Sequence, residues 1–255
     1  LLNMPQPFFL DQKADVGASI GVFDGVHRGH TALLEKVLAS SPGKAVVVTF
    51  KQSPQAHLFP QRFPGYLYSL NQRLEIFNAM GIDLVCLIDF SPEFGRMSGK
   101  DFIGLIQERL KLRYLAIGSN FRCGYGLDTD VQRISELNSE KGIQTDILPP
   151  VFWAGEPVSS SRIRTAIARG DLVEATELFG RDIVLDVSDV PTTPGPTWID
   201  YNVGAAKRIA PPPGRYSVLI QSIKNQCSTG TVEIAHSYLR LSGPRAKRLV
   251  FKVEQ

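Results

Sequence analysis

The sequence predicts an α/β fold with a parallel sheet, followed by a small antiparallel β module. Three observations predict it. Over the first two-thirds of the chain, short apolar runs of strand length alternate with stretches whose apolar residues recur every three or four positions. Such alternation builds strand-helix-strand crossovers, which pair their strands in parallel. After Gly180 the texture changes to Pro- and Gly-rich turns between short alternating segments. The 255 residues, 43% of them hydrophobic and 21% charged, supply core material for one large domain or two modest ones.

Taken in order, the strands are expected at residues 18–22, 44–50, 83–88, 114–118 and 144–148. Each is a compact apolar run, as expected where both faces of a parallel sheet are covered. Helices are expected between them at 30–39, 70–80, 99–110 and 131–141. In the second of these, Leu70, Leu74, Phe77 and Met80 fall on one helical face. The Ser159-Ser160-Ser161 run supplies good N-cap residues, and 162–168 then reads as a further helix. Residues 184–190 then lead into Pro191, Pro194, Gly195 and Pro196, and later Pro211, Pro212, Pro213 and Gly214. Alternating segments follow at 216–223, 231–239 and 248–253, so the chain divides at 1–181 and 182–255.

Composition excludes several function classes. No run of about 18 apolar residues is present, so no membrane-spanning helix is expected. Residues 1–10 carry no basic run before an apolar block, so no secretory signal is expected there. A net charge of +3 gives no concentrated basic face for nucleic acid. Cys86, Cys123 and Cys227, odd in number and without metal-type spacing, read as free thiols of a cytoplasmic protein.

In open parallel sheets ligands sit at the carboxyl ends of the strands. The sharpest local pattern lies there: Gly21-Val22-Phe23-Asp24-Gly25-Val26-His27-Arg28-Gly29-His30, straight after the first strand and opening the first helix. Gly25 and Gly29 permit a tight turn and close approach of a ligand to the backbone. The helix start offers free amides, a ready anion site. His27 and His30, three apart, are placed to add imidazole donors, His30 from an exposed first turn. A metal pair, a surface loop and a simple glycine turn are the competing readings. A second pattern, Val158-Ser159-Ser160-Ser161-Arg162-Ile163-Arg164, is either an ordinary capped helix or a second anion site of hydroxyls and guanidinium.

Together these two motifs resemble the signatures of the bacterial FAD synthetases, bifunctional riboflavin kinase/FMN adenylyltransferases. The resemblance covers about residues 16–182 well, including 70–81, 98–102 and the stretch from Gly170 to Arg181, and is partial beyond. It implies a Rossmann-like nucleotidyltransferase domain followed by a β-barrel-like kinase module. It implies that His27 and His30 hold the phosphates of ATP and stabilise charge at the α-phosphate, and that Ser159, Ser160 and Arg164 grip the outer phosphates. Gly21, Phe23, Asp24, Gly25 and Gly29 complete the implied nucleotide site, with Asp24 either a ligand group or a cap of the turn. Asn120, Phe121 and Arg122 match the substrate loop, where Asn120 replaces the family's Asp and Cys123 its Phe. Cys123 reads as a small hydrophobe rather than a redox group.

The module departs further from the pattern. Gly195-Pro196-Thr197-Trp198-Ile199 keeps Pro and Thr of the kinase motif Gly-x-Pro-Thr-Ala-Asn but lacks Ala-Asn. Glu233 stands where the family places its catalytic Glu, yet the chain between Tyr216 and Glu233 is short and the closing helices are missing. On the resemblance Thr197 and Glu233 are remnants of a reduced kinase barrel, and Glu233 reads equally as a solvated strand residue. The resulting expectation is an FMN adenylyltransferase that uses ATP, FMN and Mg²⁺ by direct in-line attack, since no side chain reads as a nucleophile. The alternatives are a bifunctional enzyme that also phosphorylates riboflavin, transfer to another phosphorylated acceptor, and a non-catalytic flavin- or nucleotide-binding protein. Small molecules are the only partners expected, with no nucleic acid, membrane or obligate protein partner.

Overall fold

The computed structural model describes residues 15–252. The expected absence of a secretory signal in residues 1–10 and the last residue of the strand expected at 248–253 therefore lie outside the described residues. Two units emerge, interleaved along the chain: Leu1–Phe23, Gly29–Gln61 and Leu74–Val151 form the first, and Asp24–Arg28, Arg62–Arg73 and Phe152–Gln255 the second.

The first unit is built on five parallel strands, β1 (Val16–Ile20), β2 (Lys44–Phe50), β3 (Leu84–Ile88), β4 (Leu112–Gly118) and β7 (Gln144–Leu148). Their order is β3-β2-β1-β4-β7. The first strand, all five residues buried, pairs with β2 (Ala18 opposite Val46) and with β4 (Ser19 opposite Ala116). The helices are α1 (Arg28–Ser40), α2 (Pro54–Leu58), α3 (Leu70–Ala79), α4 (Gly99–Leu110) and α5 (Val131–Ser139). The short ribbon β5 (Arg122–Cys123) and β6 (Thr129–Asp130) precedes α5. Ile103, Ile106 and Leu110 of α4 and Ile134 and Leu137 of α5 pack with Ile20, Val48, Leu115 and Ile117 in one core. Full burial of each such side chain contributes about 2 kcal/mol.

The chain order reverses between β1 and β4: strands added after β1 run one way to β3, and those from β4 run the other. That reversal is a topological switch point, where open α/β sheets bind ligands beyond the carboxyl ends of their strands.

In the second unit, the hairpin β8 (Phe152–Trp153) and β9 (Glu156–Pro157) leads into α6 (Ser160–Ala168) and α7 (Leu172–Phe179). Seven antiparallel strands follow: β10 (Ile183–Asp186), β11 (Thr192–Pro194), β12 (Trp198–Asn202), β13 (Gly214–Ser222), β14 (Cys227–Ala235), β15 (Tyr238–Ser242) and β16 (Ala246–Phe251). They curl into a half-barrel in the order β10-β16-β13-β14-β15-β12-β11. Strict alternation sorts the faces: Val232, Ile234, Leu239 and Leu241 are buried, while Arg215, Glu233 and Arg240 are exposed.

Two expectations for this module need correction. The segment expected as one strand at 231–239 is split, because His236 takes φ 53° and turns the chain between β14 and β15. The Pro-rich stretch after 190 contains β11 and β12, with Pro194 tolerated because β11 is an edge strand.

Candidate active site

In the first unit, the carboxyl ends of neighbouring strands β1 and β4 each release a loop at the switch point. Gly21 extends the β1 ladder by donating its amide to the Val48 carbonyl at 3.0 Å, and Ser119 extends the β4 ladder by donating to Leu148 at 2.8 Å. The histidine stretch and the Asn120 loop therefore start side by side. Phe23 has φ 52° and is buried, edge-on to Phe77 (5.8 Å between centroids) and to His30 (5.1 Å). A Cβ at Gly21 would lie 3.1 Å from the Phe23 ring, so glycine lets this ring fold back. His30 sits in the first turn of α1 as expected, but it is half-buried with Nδ1 shielded from solvent, not exposed.

Asn120 and Arg122 are exposed, Phe121 is half-buried, and Arg122 Nε donates to the Leu127 carbonyl at 3.2 Å. Burial pushes the Cys123 thiol up to about 12, so at neutral pH it is an inert packing group. At the carboxyl ends of β2 and β3 a set of half-buried aromatic rings was missed by the sequence reading. Phe50 lies 6.1 Å from Phe90 and 6.4 Å from Phe94, and Phe90 lies 5.8 Å from Phe94. Their spacing along the chain has no single period, so only the sheet brings them together.

In the second unit residues 24–27 form a tight, buried turn that leads into exposed Arg28. Gly25 has φ 82°, and a Cβ there would meet Phe179 at 2.9 Å and Leu67 at 3.0 Å. The Asp24 carboxylate accepts from the amides of Leu67 and Tyr68, all at 3.1 Å, and is paired with Arg164. Arg164 Nε also donates to the Gly65 carbonyl at 2.9 Å. Asp24 is thus a knot that ties three chain segments, and Arg164 reaches the turn through it. Ser160 donates its hydroxyl to the Asp24 carbonyl at 2.8 Å, while Ser159 caps α6 by accepting from Arg162 at 3.2 Å.

His27 is buried in this turn, 5% exposed. Burial, then the nearby charges of Arg181 and Arg164, push its imidazole down to about 4, so it is neutral at pH 7 and offers a single N–H. The cluster is dominated by cationic groups, an environment suited to a polyphosphate. Arg181 is a second member that sequence reasoning placed only as a junction residue. Its hydrogen-bond partners Tyr68, Gly25 and Val26 lie more than 100 positions away, which leaves no local signal for those bonds.

Thr197 and Glu233, expected as kinase remnants, are not brought together. Glu233 stands opposite Arg215 and Arg240, and Arg240 opposite Asp200, in a row of charged residues. Its side chain is 53% exposed and 4.0 Å from Arg215. Thr197 precedes β12, three positions along from Asp200 and two strands over from Glu233, roughly 14 Å by strand geometry.

Among the described residues no group of three His, Cys, Asp or Glu is placed to hold a metal ion. Asp24, the carboxylate within the turn, is already committed to two amides and a guanidinium. These residues do not make a protein-held Mg²⁺ site. Among the described residues no helix is long and apolar enough to cross a membrane.

Residues 10–162 match the family model described as FAD synthetase. The chain is 27% identical to the bifunctional riboflavin kinase/FMN adenylyltransferase of Escherichia coli (strain K12), over 85% of this chain and 71% of that protein. It is 28% identical to the FAD synthetase of Listeria monocytogenes, over 67% of this chain and 70% of that protein. Among solved structures, the crystal structure of a macrolide-efflux protein from Streptococcus pneumoniae superposes with a TM-score of 0.76 at 20% identity. It covers 93% of this chain and 84% of that one, a likeness of fold.

Proposed function

The chain belongs to the FAD synthetase family, and from that premise we propose that it transfers the adenylyl group of ATP to FMN, yielding FAD and pyrophosphate. A phosphate oxygen of FMN attacks the α-phosphorus of ATP. The new P–O bond forms as the bond to the β-phosphate bridging oxygen breaks, and pyrophosphate leaves with that electron pair. Among the described residues the site offers no poised protein nucleophile, so catalysis rests on positioning and on stabilising charge at the transferring phosphorus. Mg²⁺ belongs to the substrate in this reading, carried on the phosphates of ATP.

The observation that carries the proposal is the pairing at the switch point: the histidine stretch leaves β1 beside the Asn120 loop leaving β4. ATP phosphates are assigned to His27, His30 and Gly29, with Arg164, Ser159 and Ser160 shaping the turn through Asp24 and α6. Neutral His27 donates one hydrogen bond, and a polyphosphate arriving there favours its protonation. The flavin ring is assigned to the half-buried faces of Phe50, Phe90, Phe94 and Phe121. Asn120 keeps hydrogen-bonding capacity at the loop without a charge to repel the FMN phosphate.

Residues 1–181 carry this chemistry in the proposal, and residues 182–255 are a module without riboflavin kinase activity. The outward, salt-bridged setting of Glu233 supports that division. A cytoplasmic location and small-molecule partners complete the reading, in keeping with buried, unpaired Cys86 and Cys123. The test is incubation of the pure protein with ATP, Mg²⁺ and FMN, with chromatography of the flavins and assay of pyrophosphate. FAD and pyrophosphate should form in equal amounts. Unchanged FMN after many hours at high enzyme would overturn the assignment.

A further inference from the structure

Three of the four residues 23–26 have positive φ: Phe23 at 52°, Gly25 at 82° and Val26 at 39°. For a β-branched residue such as Val26 this backbone is strained and persists only where its surroundings impose it. The imposing group is Arg181. Its Nη2 donates both hydrogens to this turn, one to the Gly25 carbonyl at 2.6 Å and one to the Val26 carbonyl at 2.7 Å. Its Nε donates to the Tyr68 hydroxyl at 3.2 Å.

Arg181 is itself aimed by a bench. Tyr68 and Phe179 stack with centroids 5.1 Å apart and planes within 5° of parallel. The guanidinium lies over both rings, 5.3 Å from Tyr68 and 5.8 Å from Phe179. The bench is anchored in the β module. Tyr66 donates to the Lys207 carbonyl at 2.7 Å and accepts from Ile209 at 3.0 Å, like a short strand. Ser69 donates to Asp186 at 2.6 Å, and Gln72 to the Val184 carbonyl at 2.9 Å. Asp186 is held in turn by the amide and hydroxyl of Ser188.

We propose that Arg181 is a positioning residue for adenylyl transfer: from a bench anchored in the C-terminal β module, it holds the backbone of the turn that carries His27. The inference rests on the adenylyltransferase reading and gives the reduced module a task that needs no kinase chemistry. An arginine suits the task because its planar fork reaches two carbonyls and a hydroxyl at once while stacking on aromatic rings.

The test uses Arg181→Met, which keeps the stem and its stacking, and Arg181→Lys, which keeps the charge. Each is read two ways: by steady-state kinetics at a temperature where circular dichroism shows a folded protein, and by hydrogen exchange of the peptide spanning residues 24–28. The expected result for Met is a fall in kcat of about tenfold or more with KM for FMN within about twofold, since a displaced turn misplaces transition-state contacts. Lys should recover only part of that loss. Exchange in 24–28 should speed up in both variants, while peptides of β1 and β4 keep the parental rate. A merely structural arginine would lower the unfolding temperature and leave kcat per folded molecule at the parental value, which would overturn the proposal. Parental exchange across 24–28 in both variants would also overturn it, whatever the activity. If the parent makes no FAD, the adenylyltransferase reading fails, and with it the part of the proposal that ties Arg181 to adenylyl transfer. The exchange result then still decides whether Arg181 holds the turn.

Discussion

His27 ties the stability of the fold to pH in a way that can be worked out beforehand. Burial, reinforced by the charges of Arg181 and Arg164, pushes its imidazole from 6.5 down to about 4. Between those two values the unfolded chain binds a proton that the folded chain refuses. Stability therefore falls as pH drops through that window and is flat above about pH 7.5. A gap of about 2.5 pH units at about 1.4 kcal/mol each costs about 3 kcal/mol by pH 4. For a chain of this size that equals a drop of about 10 °C in unfolding temperature. The perturbation is His27→Gln, which keeps a side-chain N–H donor and cannot titrate. Thermal unfolding of both proteins, followed by circular dichroism from pH 8 to pH 4, should give a variant whose decline is shallower by about that amount. Parallel curves would mean that His27 titrates normally and that the turn is open to water. A steeper variant would mean that the folded state holds the imidazolium, which would reverse the electrostatic picture.

Three further outcomes are expected. His30→Ala should slow FAD formation by about 10²-fold or more, the usual loss for one preorganised donor; a folded variant with the parental rate would remove His30 from the mechanism. Arg164→Lys keeps the charge but loses the two-pronged hold on Asp24 and Gly65, so KM for ATP should rise at least as much as kcat falls. Full activity in that variant would show that Arg164 supplies only charge. Riboflavin with ATP and Mg²⁺ should give no FMN at a rate approaching that of FAD formation from FMN, and a matching rate would restore Thr197 and Glu233 as a working kinase site.

What could be read from the sequence was local. Two strands, at 44–50 and 144–148, and the helix at 99–110 agree residue for residue with β2, β7 and α4, because strand-length runs and helical spacing are signals carried by neighbouring residues. A serine cap before α6 was legible for the same reason, although which of the three serines caps it was not: Ser159 accepts from the amide three residues on, and the helix starts at Ser160 rather than at 162. The knot around Asp24 was not legible. Its partners, Leu67, Tyr68 and Arg164, stand 43, 44 and 140 positions away, and nothing in a charged or apolar residue names its partner. The turn between β14 and β15 was hidden because His236, rather than Gly or Asn, takes the positive φ. The aromatic set around Phe90 was hidden because three different elements contribute to it.

The second unit places cationic side chains around a turn whose one carboxylate is already spent on holding the turn together. With Asp24 tied to two amides and to Arg164, the turn is already shaped, so in the proposed reaction the phosphate need not order it. Keeping His27 neutral serves the same end. An imidazolium beside Arg164 and Arg181 would repel both, whereas a neutral ring lets three donors share a small volume until a polyanion supplies the missing charge. The strain at Val26 is what this compactness costs, and it is met by bonds that begin outside the turn, from Arg181 and from segments pinned to the β module. On the proposed reading, a module without kinase chemistry still matters to adenylyl transfer, by holding a geometry rather than by touching a substrate.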